Sequence, residues 1–220
     1  MKTKEKAELV VKLLEEKYPE AVCGLETERD PFKTLVMAVL SAQTTDKIVN
    51  KVSKTLFQRF PTPESIAYSQ PGELEAEIRT IGLYNSKAKN LRAACKRLVE
   101  VYGGTLPSDM KDLLSLPGVG RKVANLIRGD VFGLGGIVAD THCIRICAKL
   151  GFVRKSNPLV VEKTMDALIP REKQSDFCHR LVLFGREICS AKKPKCDVCF
   201  LCALCDYRNA LVRKNKKAGI

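Results

Sequence analysis

Apolar residues along this chain recur at the three- and four-residue spacing of a helix that buries one face. Four faces of this kind stand out: Ala7, Val10, Val11, Leu14 and Tyr18; Leu91, Ala94, Cys95, Leu98, Val99 and Tyr102; Val161, Thr164, Met165 and Leu168; and Phe177, Leu181, Phe184 and Ile188. No stretch alternates well enough to predict a half-buried strand. The pattern therefore predicts an all-α fold with roughly nine to eleven helices.

Residues that favour helix N-termini precede several of the segments with a helical pattern. Pro31 opens "PFKTLVMAVLSAQ", Asp109 precedes "MKDLLSL", and Asn157 with Pro158 precedes "LVVEK". At the other end of the chain, "RKNKKAG" is expected to be a disordered basic tail.

Charge narrows the class of partner. The chain has 38 lysines and arginines against 25 acidic residues, which gives a net charge of +13. Such a balance favours a polyanionic partner, either nucleic acid or an anionic membrane. No apolar run approaches the 18 residues typical of a membrane-spanning helix, and "MKTKEKAELVV" lacks an apolar signal core. We therefore expect a soluble intracellular protein.

The stretch "LPGVGRK", Leu116 to Lys122, lies between two segments with helical patterns. Gly118 and Gly120 lack a Cβ, so a phosphate could approach the backbone, and consecutive N–H groups around Val119 could form a concave nest. Arg121 follows at the positive end of the next helix. This arrangement predicts a phosphate-binding turn, although the glycines alone would equally suit a plain helix connection.

Lys122 and Asp140 are the candidate catalytic pair. Lys122 falls in the first helical turn, where the helix dipole and Arg121 both disfavour an ammonium, so part of it could be a neutral, nucleophilic amine. Asp140 precedes the helical run "THCIRICAKLGF", which suits a helix N-cap. A carboxylate beside a basic cleft could also stabilise a cationic sugar transition state.

Five of the ten cysteines crowd near the C-terminus, with the spacing Cys189-x6-Cys196-x2-Cys199-x5-Cys205 and Cys202 as the fifth. A zinc ribbon usually needs two C-x2-C pairs separated by roughly 15–20 residues, which this segment lacks. A compact loop with four thiolates suits a [4Fe–4S] cluster better. Spacing alone also permits Cys196, Cys199 and Cys202 as a ferredoxin-like C-x2-C-x2-C set.

Several motifs together resemble one family of DNA repair enzymes. These are "LPGVGRKVAN", "VADTH" with Asp140 eighteen residues after Lys122, "LSAQTTD", "IGLYNSKA" and the cysteine spacing. They are similar to the endonuclease III family of helix-hairpin-helix-GPD DNA glycosylases, over about residues 30 to 207.

The resemblance implies two helical lobes with a DNA-binding groove between them. Residues 23–134 would form a six-helix barrel with the helix-hairpin-helix at about 108–131. Residues 1–22 and 135–220 would form the iron–sulfur lobe, with the cluster loop at 189–205 and Cys205, in preference to Cys202, as the fourth ligand.

The resemblance also implies a monomeric, bifunctional DNA glycosylase and abasic-site lyase, in the cytoplasm or at the nucleoid of a bacterium. Such an enzyme would remove oxidised pyrimidines from duplex DNA and cut 3′ to the abasic site by β-elimination through a lysine Schiff base. Lys122 would attack the sugar C1′ and Asp140 would stabilise its positive charge. Gln43 and Leu83 would fill the gap left by an everted nucleotide. His142 would touch the sugar or pack beside Asp140. Lysines of the cluster loop would contact phosphate: Lys192, Lys193 and Lys195.

Two other functions remain open at this point. One is a monofunctional adenine-mismatch glycosylase, which uses water as nucleophile; because such an enzyme does not need the lysine, Lys122 argues against it. The other is a non-catalytic DNA-binding module with structural zinc. The preferred lesion does not follow from these motifs, because the shape of the pocket decides it.

Overall fold

The computed structural model describes residues 1–217, with side chains for residues 1–213, and within this range the regular elements are all helical. The all-α prediction is thereby confirmed. Twelve α-helices follow one another along the described chain: α1 Thr3–Lys17, α2 Pro31–Leu40, α3 Asp46–Arg59, α4 Pro63–Ala67, α5 Glu73–Glu77, α6 Tyr84–Tyr102, α7 Met110–Leu114, α8 Arg121–Asp130, α9 Thr141–Leu150, α10 Pro158–Leu168, α11 Arg171–Glu187 and α12 Asp206–Lys217.

The helix count exceeds the expected range for two reasons. Helices α4, α5 and α7 have only five residues each, too few for a periodic pattern to reveal. Helix α12 continues through Lys217, so the expected disorder of "RKNKKAG" is wrong for Arg213 to Lys217. Ala218 and Gly219 lie outside the described residues. None of the described helices is long and apolar enough to cross a membrane.

The chain divides into two compact units. We call Cys23–Leu134 the central unit; the terminal unit combines Met1–Val22 with the chain from Gly135 onward.

The central unit packs helices α2 to α8 around one apolar core. Helix α2 is its most deeply buried element, since seven consecutive residues from Thr34 to Leu40 are buried. Its N-terminus is fixed by Asp30, whose carboxylate accepts a 2.7 Å hydrogen bond from the Lys33 N–H, and by Pro31 in the first turn. Helix α6 contributes a buried stripe to the same core: Lys87, Ala88, Leu91, Ala94, Cys95 and Leu98.

The terminal unit brings the two ends of the chain together. Helix α1 packs on α11, and the two helices bury apolar side chains that include Leu14, Phe177 and Phe184. Helix α9 contacts α10, α11 and α12, and so connects the first residues after the central unit to the cysteine loop that precedes α12.

Candidate functional site

The turn between α7 and α8 contains both buried and exposed residues. Leu116 and Val119 are buried, whereas Gly118 and Gly120 are exposed. Gly118 has φ +84°, and a Cβ placed there would lie 3.0 Å from the Asn90 Cβ. Two apolar anchors therefore hold the turn to the core and leave its glycines at the surface.

The proposed nest differs from expectation at two positions. Gly120 has φ −94° and ψ 176°, so only Gly118 of the pair uses the left-handed region. The Val119 N–H donates to the Leu116 carbonyl at 3.0 Å and is directed into the turn. The expected unbroken run of outward N–H groups is therefore wrong at Val119.

Lys122 is an exposed side chain in the first turn of α8. The helix begins at Arg121, with Gly120 as its N-cap, and its first helical hydrogen bond runs from the Ala124 N–H to the Gly120 carbonyl at 2.9 Å. No acidic residue stands in this first turn, although helix N-termini usually favour one. The chain thus presents two cations, Arg121 and Lys122, where the helix dipole is positive.

Asp140 is the N-cap of α9. Its Oδ1 accepts a 2.7 Å hydrogen bond from the Cys143 N–H, so the capping interpretation is confirmed. Its Oδ2 lies 3.4 Å from His142 Nδ1, and the Asp140 side chain is 17% exposed. One carboxylate oxygen is therefore fixed by the helix, which leaves the other oriented beside the imidazole.

His142 packs closely on helix α11. A Cβ on Gly185 would lie 2.4 Å from His142 Cδ2, so only glycine at that position allows the ring to sit there. Arg145, one turn further along α9, donates to the Cys189 carbonyl from Nη2 at 2.9 Å and from Nε at 3.2 Å. Helix α9 is therefore bonded directly to the start of the cysteine loop.

Gln43 and Leu83 share an unusual backbone conformation. Gln43 has φ +55° and Leu83 has φ +59°, and the described chain contains only two other non-glycine residues with positive φ. Both side chains are exposed, and Leu83 is 62% exposed. The alternative that Leu83 is a core residue is therefore wrong. For a leucine, both the left-handed backbone and the exposure are unfavourable, which suggests a function.

Lys87 is a buried lysine that the sequence analysis did not single out. It is 5% exposed, and its Nζ donates to the Leu40 carbonyl at 2.8 Å, the Ala42 carbonyl at 2.6 Å and Thr44 Oγ1 at 3.1 Å. Burial lowers its pKa. The sequence did contain a signal for a buried lysine, because Lys87 lies four residues before Leu91 on the apolar face of α6.

The cysteine loop lines a partly open pocket in the terminal unit. Its lining includes all five crowded cysteines together with apolar side chains of α9 and α11, among them Ile146 and Phe184. Four of the five cysteines are half-buried and Cys202 is exposed. The four half-buried cysteines are the set expected from the resemblance, and a cavity lined by thiols and apolar groups fits an iron–sulfur cluster.

Backbone turns hold this loop in shape. The N–H groups of Cys199, Cys202 and Cys205 donate to carbonyls three residues earlier, at 3.1 to 3.4 Å. Leu201 is fully buried and anchors the middle of the loop. Three lysines of the first part of the loop are exposed: Lys192, Lys193 and Lys195.

Lys122 lies in the central unit and Asp140 in the terminal unit. The same division separates Gln43, Leu83 and the hairpin from His142 and the cysteine loop. The meeting of amine and carboxylate at one sugar stays a prediction.

Comparison with known proteins identifies the family of this chain. Residues 36–171 match the model of the HhH-GPD superfamily of base excision DNA repair proteins. Endonuclease III of Synechocystis sp. is 39% identical over 208 residues, which are 94% of each chain. A solved non-covalent endonuclease III–DNA complex aligns with a TM-score of 0.89 and 41% identity, over 97% of this chain and all of the other. A trapped endonuclease III–DNA covalent intermediate aligns with the same TM-score, identity and coverage.

Proposed function

Since the chain belongs to the endonuclease III family of the HhH-GPD superfamily of base excision DNA repair proteins, we propose that it removes oxidised pyrimidines from duplex DNA and then cuts the strand at the resulting abasic site. The observation that carries this proposal is Lys122, an exposed amine in the first turn of α8, immediately after the hairpin turn. The trapped covalent intermediate of a 41% identical relative supports a covalent route.

Base removal is the first step. The base sits inside the duplex, so the nucleotide must be everted before any side chain reaches its C1′ atom. As the bond from C1′ to the base breaks, positive charge develops on the sugar, and the Asp140 carboxylate stabilises it. The Cys143 N–H fixes Oδ1 and so orients the whole carboxylate.

Strand cutting uses the Lys122 amine. The nitrogen lone pair attacks C1′ as the base departs with the electrons of its bond to C1′. The C1′–O4′ bond then breaks, O4′ takes up a proton and Nζ loses one, which leaves a Schiff base between Nζ and C1′. A proton leaves C2′, its bonding electrons form a C2′–C3′ double bond conjugated with the imine, and the 3′ phosphate departs with the electrons of the C3′–O bond. Water releases the lysine by hydrolysis of the imine.

DNA binding is assigned to both units. In the central unit, Gly118, Gly120 and Arg121 contact phosphate at the α8 N-terminus, while Gln43 and Leu83 fill the place of the everted nucleotide. In the terminal unit, Lys192, Lys193 and Lys195 add phosphate contacts.

The half-buried cysteines are assigned to a [4Fe–4S] cluster, with Cys189, Cys196, Cys199 and Cys205 as its thiolate ligands. When bound, the cluster supplies four metal–sulfur bonds that cross-link the loop. Through the Arg145 bonds to the Cys189 carbonyl, the loop in turn steadies α9, whose N-terminus carries Asp140.

Parallel measurement of base release and strand cutting tests the proposal. On a duplex with one thymine glycol, we expect strand cutting to accompany base release at a similar rate and to leave a β-elimination end. Base release without cutting would instead support the monofunctional alternative. Cutting of undamaged DNA at the same rate would exclude a glycosylase altogether.

A further inference from the structure

We propose that Lys87 is a positioning residue that holds Gln43 and Leu83 as one preformed unit for insertion into DNA. The inference deepens the proposed function and rests on it, because those two residues are assigned to the space left by the everted nucleotide. It is carried by the hydrogen bonds around the Lys87 side chain and main chain, all within the central unit.

The Lys87 ammonium completes the end of helix α2. Of the last four carbonyls of this helix, Met37 and Val39 accept from the N–H groups of Ser41 and Ala42, and Ala38 accepts from the Ser41 hydroxyl. The fourth, Leu40, accepts from Lys87 Nζ at 2.8 Å. A cation at this position is also favoured by the negative end of the α2 dipole.

The same ammonium fixes the loop that carries Gln43. It donates to the Ala42 carbonyl and to Thr44 Oγ1, one residue on each side of Gln43. An ammonium has three N–H donors, and here three oxygens accept them. The flanking residues are therefore held while the Gln43 side chain itself stays exposed.

The main chain of Lys87 links this loop to Leu83. The Lys87 N–H donates to the Leu83 carbonyl at 3.0 Å, in the first turn of α6, where Leu83 is the N-cap. A Cβ on Gly82 would lie 3.9 Å from both the Gln43 carbonyl and Thr44 Oγ1, so the two loops are in contact. One residue thus bonds to both segments with left-handed backbones.

A lysine is a costly choice for a buried position unless its charge is needed. Burial of an ammonium is unfavourable, and an apolar side chain of similar size would avoid that cost but leave the Leu40 and Ala42 carbonyls without this partner. The benefit we infer is preorganisation: the strained conformations of Gln43 and Leu83 form during folding, so they need not be acquired on DNA.

The test compares duplex and single-stranded substrates in Lys87→Gln. Only the duplex requires the wedge, whereas the Schiff base chemistry of Lys122 is needed for both. We expect borohydride trapping on a single-stranded abasic oligonucleotide to change less than twofold. Trapping on an abasic duplex and the fluorescence rise of 2-aminopurine paired opposite the abasic site should each slow at least tenfold.

Lys89→Gln is the matched control, because Lys89 is an exposed lysine two residues along the same helix. It removes the same charge and should leave both substrates unchanged. If Lys87→Gln does not fold, Thr44→Val removes one acceptor only and should slow the duplex reaction about threefold, again without an effect on the single strand.

Four results are decisive. Equal slowing on both substrates, or no slowing on the duplex, would overturn the positioning role. Slowing of the duplex reaction by Lys89→Gln to the same extent would assign the effect to surface charge. Absence of single-strand trapping by the unmodified protein would instead count against the proposed lyase function and not against the role of Lys87.

Discussion

At the scale of single residues, the two glycines of the hairpin turn have separate tasks. Gly118 provides a left-handed backbone and a close approach to Asn90 that a Cβ would disturb. Gly120 has an ordinary extended backbone, and a Cβ there would meet nothing within 4 Å. A Cβ at position 120 would therefore clash with nothing in the folded protein, and we propose that the open space beside Gly120 admits a DNA phosphate.

Alanine substitutions separate these tasks. Gly118→Ala should lower the free energy of unfolding by about 1–2 kcal/mol, because alanine is strained at positive φ. Gly120→Ala should cost about 0.5–1 kcal/mol, because alanine is a poorer N-cap than glycine, and should also weaken DNA binding, because the added methyl group would meet the proposed phosphate. Urea unfolding and a DNA-binding titration measure the two effects. A Gly120→Ala variant that binds DNA normally would contradict the phosphate assignment.

Asp140 is a structural cap, and we propose that it also supplies a catalytic charge. Asn caps helices as well as Asp does, so Asp140→Asn should keep the melting temperature and lose most base release, because the amide cannot stabilise a sugar cation. Thermal unfolding and base release from thymine glycol DNA report the two tasks. Asp109→Asn, at the N-cap of α7, is the control and should retain base release. If Asp140→Asn released the base at the normal rate, Asp140 would be only a cap.

Sequence could identify these residues only in part. The helix starts at Pro31, Asp109 and Asn157 followed from residue type, since proline and capping side chains act locally. The bonds of Lys87 could not be derived, because their acceptors, two carbonyls and one hydroxyl, lie 43 to 47 residues away in sequence. The position of Lys87 on an apolar helical face could nevertheless be predicted from the sequence.

At the scale of elements, the short helix α5 is held to α6 by one ion pair. Arg92 Nη1 donates to Glu75 Oε1 at 2.8 Å, Arg92 Nη2 bonds to Glu75 Oε2, and Nε donates to Ser69 Oγ at 3.0 Å. Both charged side chains are about one-fifth exposed. The hydrogen bonds from Arg92 lower the Glu75 pKa from 4.5 to about 2.

This pair should make stability depend on pH. Because the carboxyl pKa is lowered in the folded state, its stabilisation is fully present above pH 4.5 and is lost as the pH falls towards 2. Glu75→Gln should therefore cost roughly 1 kcal/mol at pH 7, and the difference from the unmodified protein should shrink at pH 3. Urea unfolding at both pH values measures it.

Glu100→Gln on α6, the helix that carries Arg92, is the control for that prediction. Its i, i+4 pair with Lys96 is about half exposed on both sides, so its removal should change stability by about 0.5 kcal/mol or less. A cost for Glu75→Gln that stayed constant from pH 7 to pH 3 would show that the charge of Glu75 is not the cause.

At the scale of the whole molecule, the helical pattern predicted an all-α protein, which the described residues confirm. The charge of +13 favoured a polyanionic partner, which agrees with a family of base excision DNA repair proteins. The roles proposed for Lys122 and Asp140 came from motifs. Hydrophobic periodicity describes single helices, so it could not relate two residues that belong to different units. The pattern missed α12 because its sequence is mostly polar and charged, with few apolar positions to set a period.

Borohydride trapping tests the central claim most directly. The protein is incubated with duplex DNA that carries a thymine glycol, the imine is reduced, and the adduct is digested and located by mass spectrometry. Lys47 is the matched control, because it is also an exposed lysine at the second position of a helix, α3. We predict one adduct at Lys122, its loss in Lys122→Gln, and its persistence in Lys47→Gln. An adduct at another lysine, or one that survives in Lys122→Gln, would contradict the account.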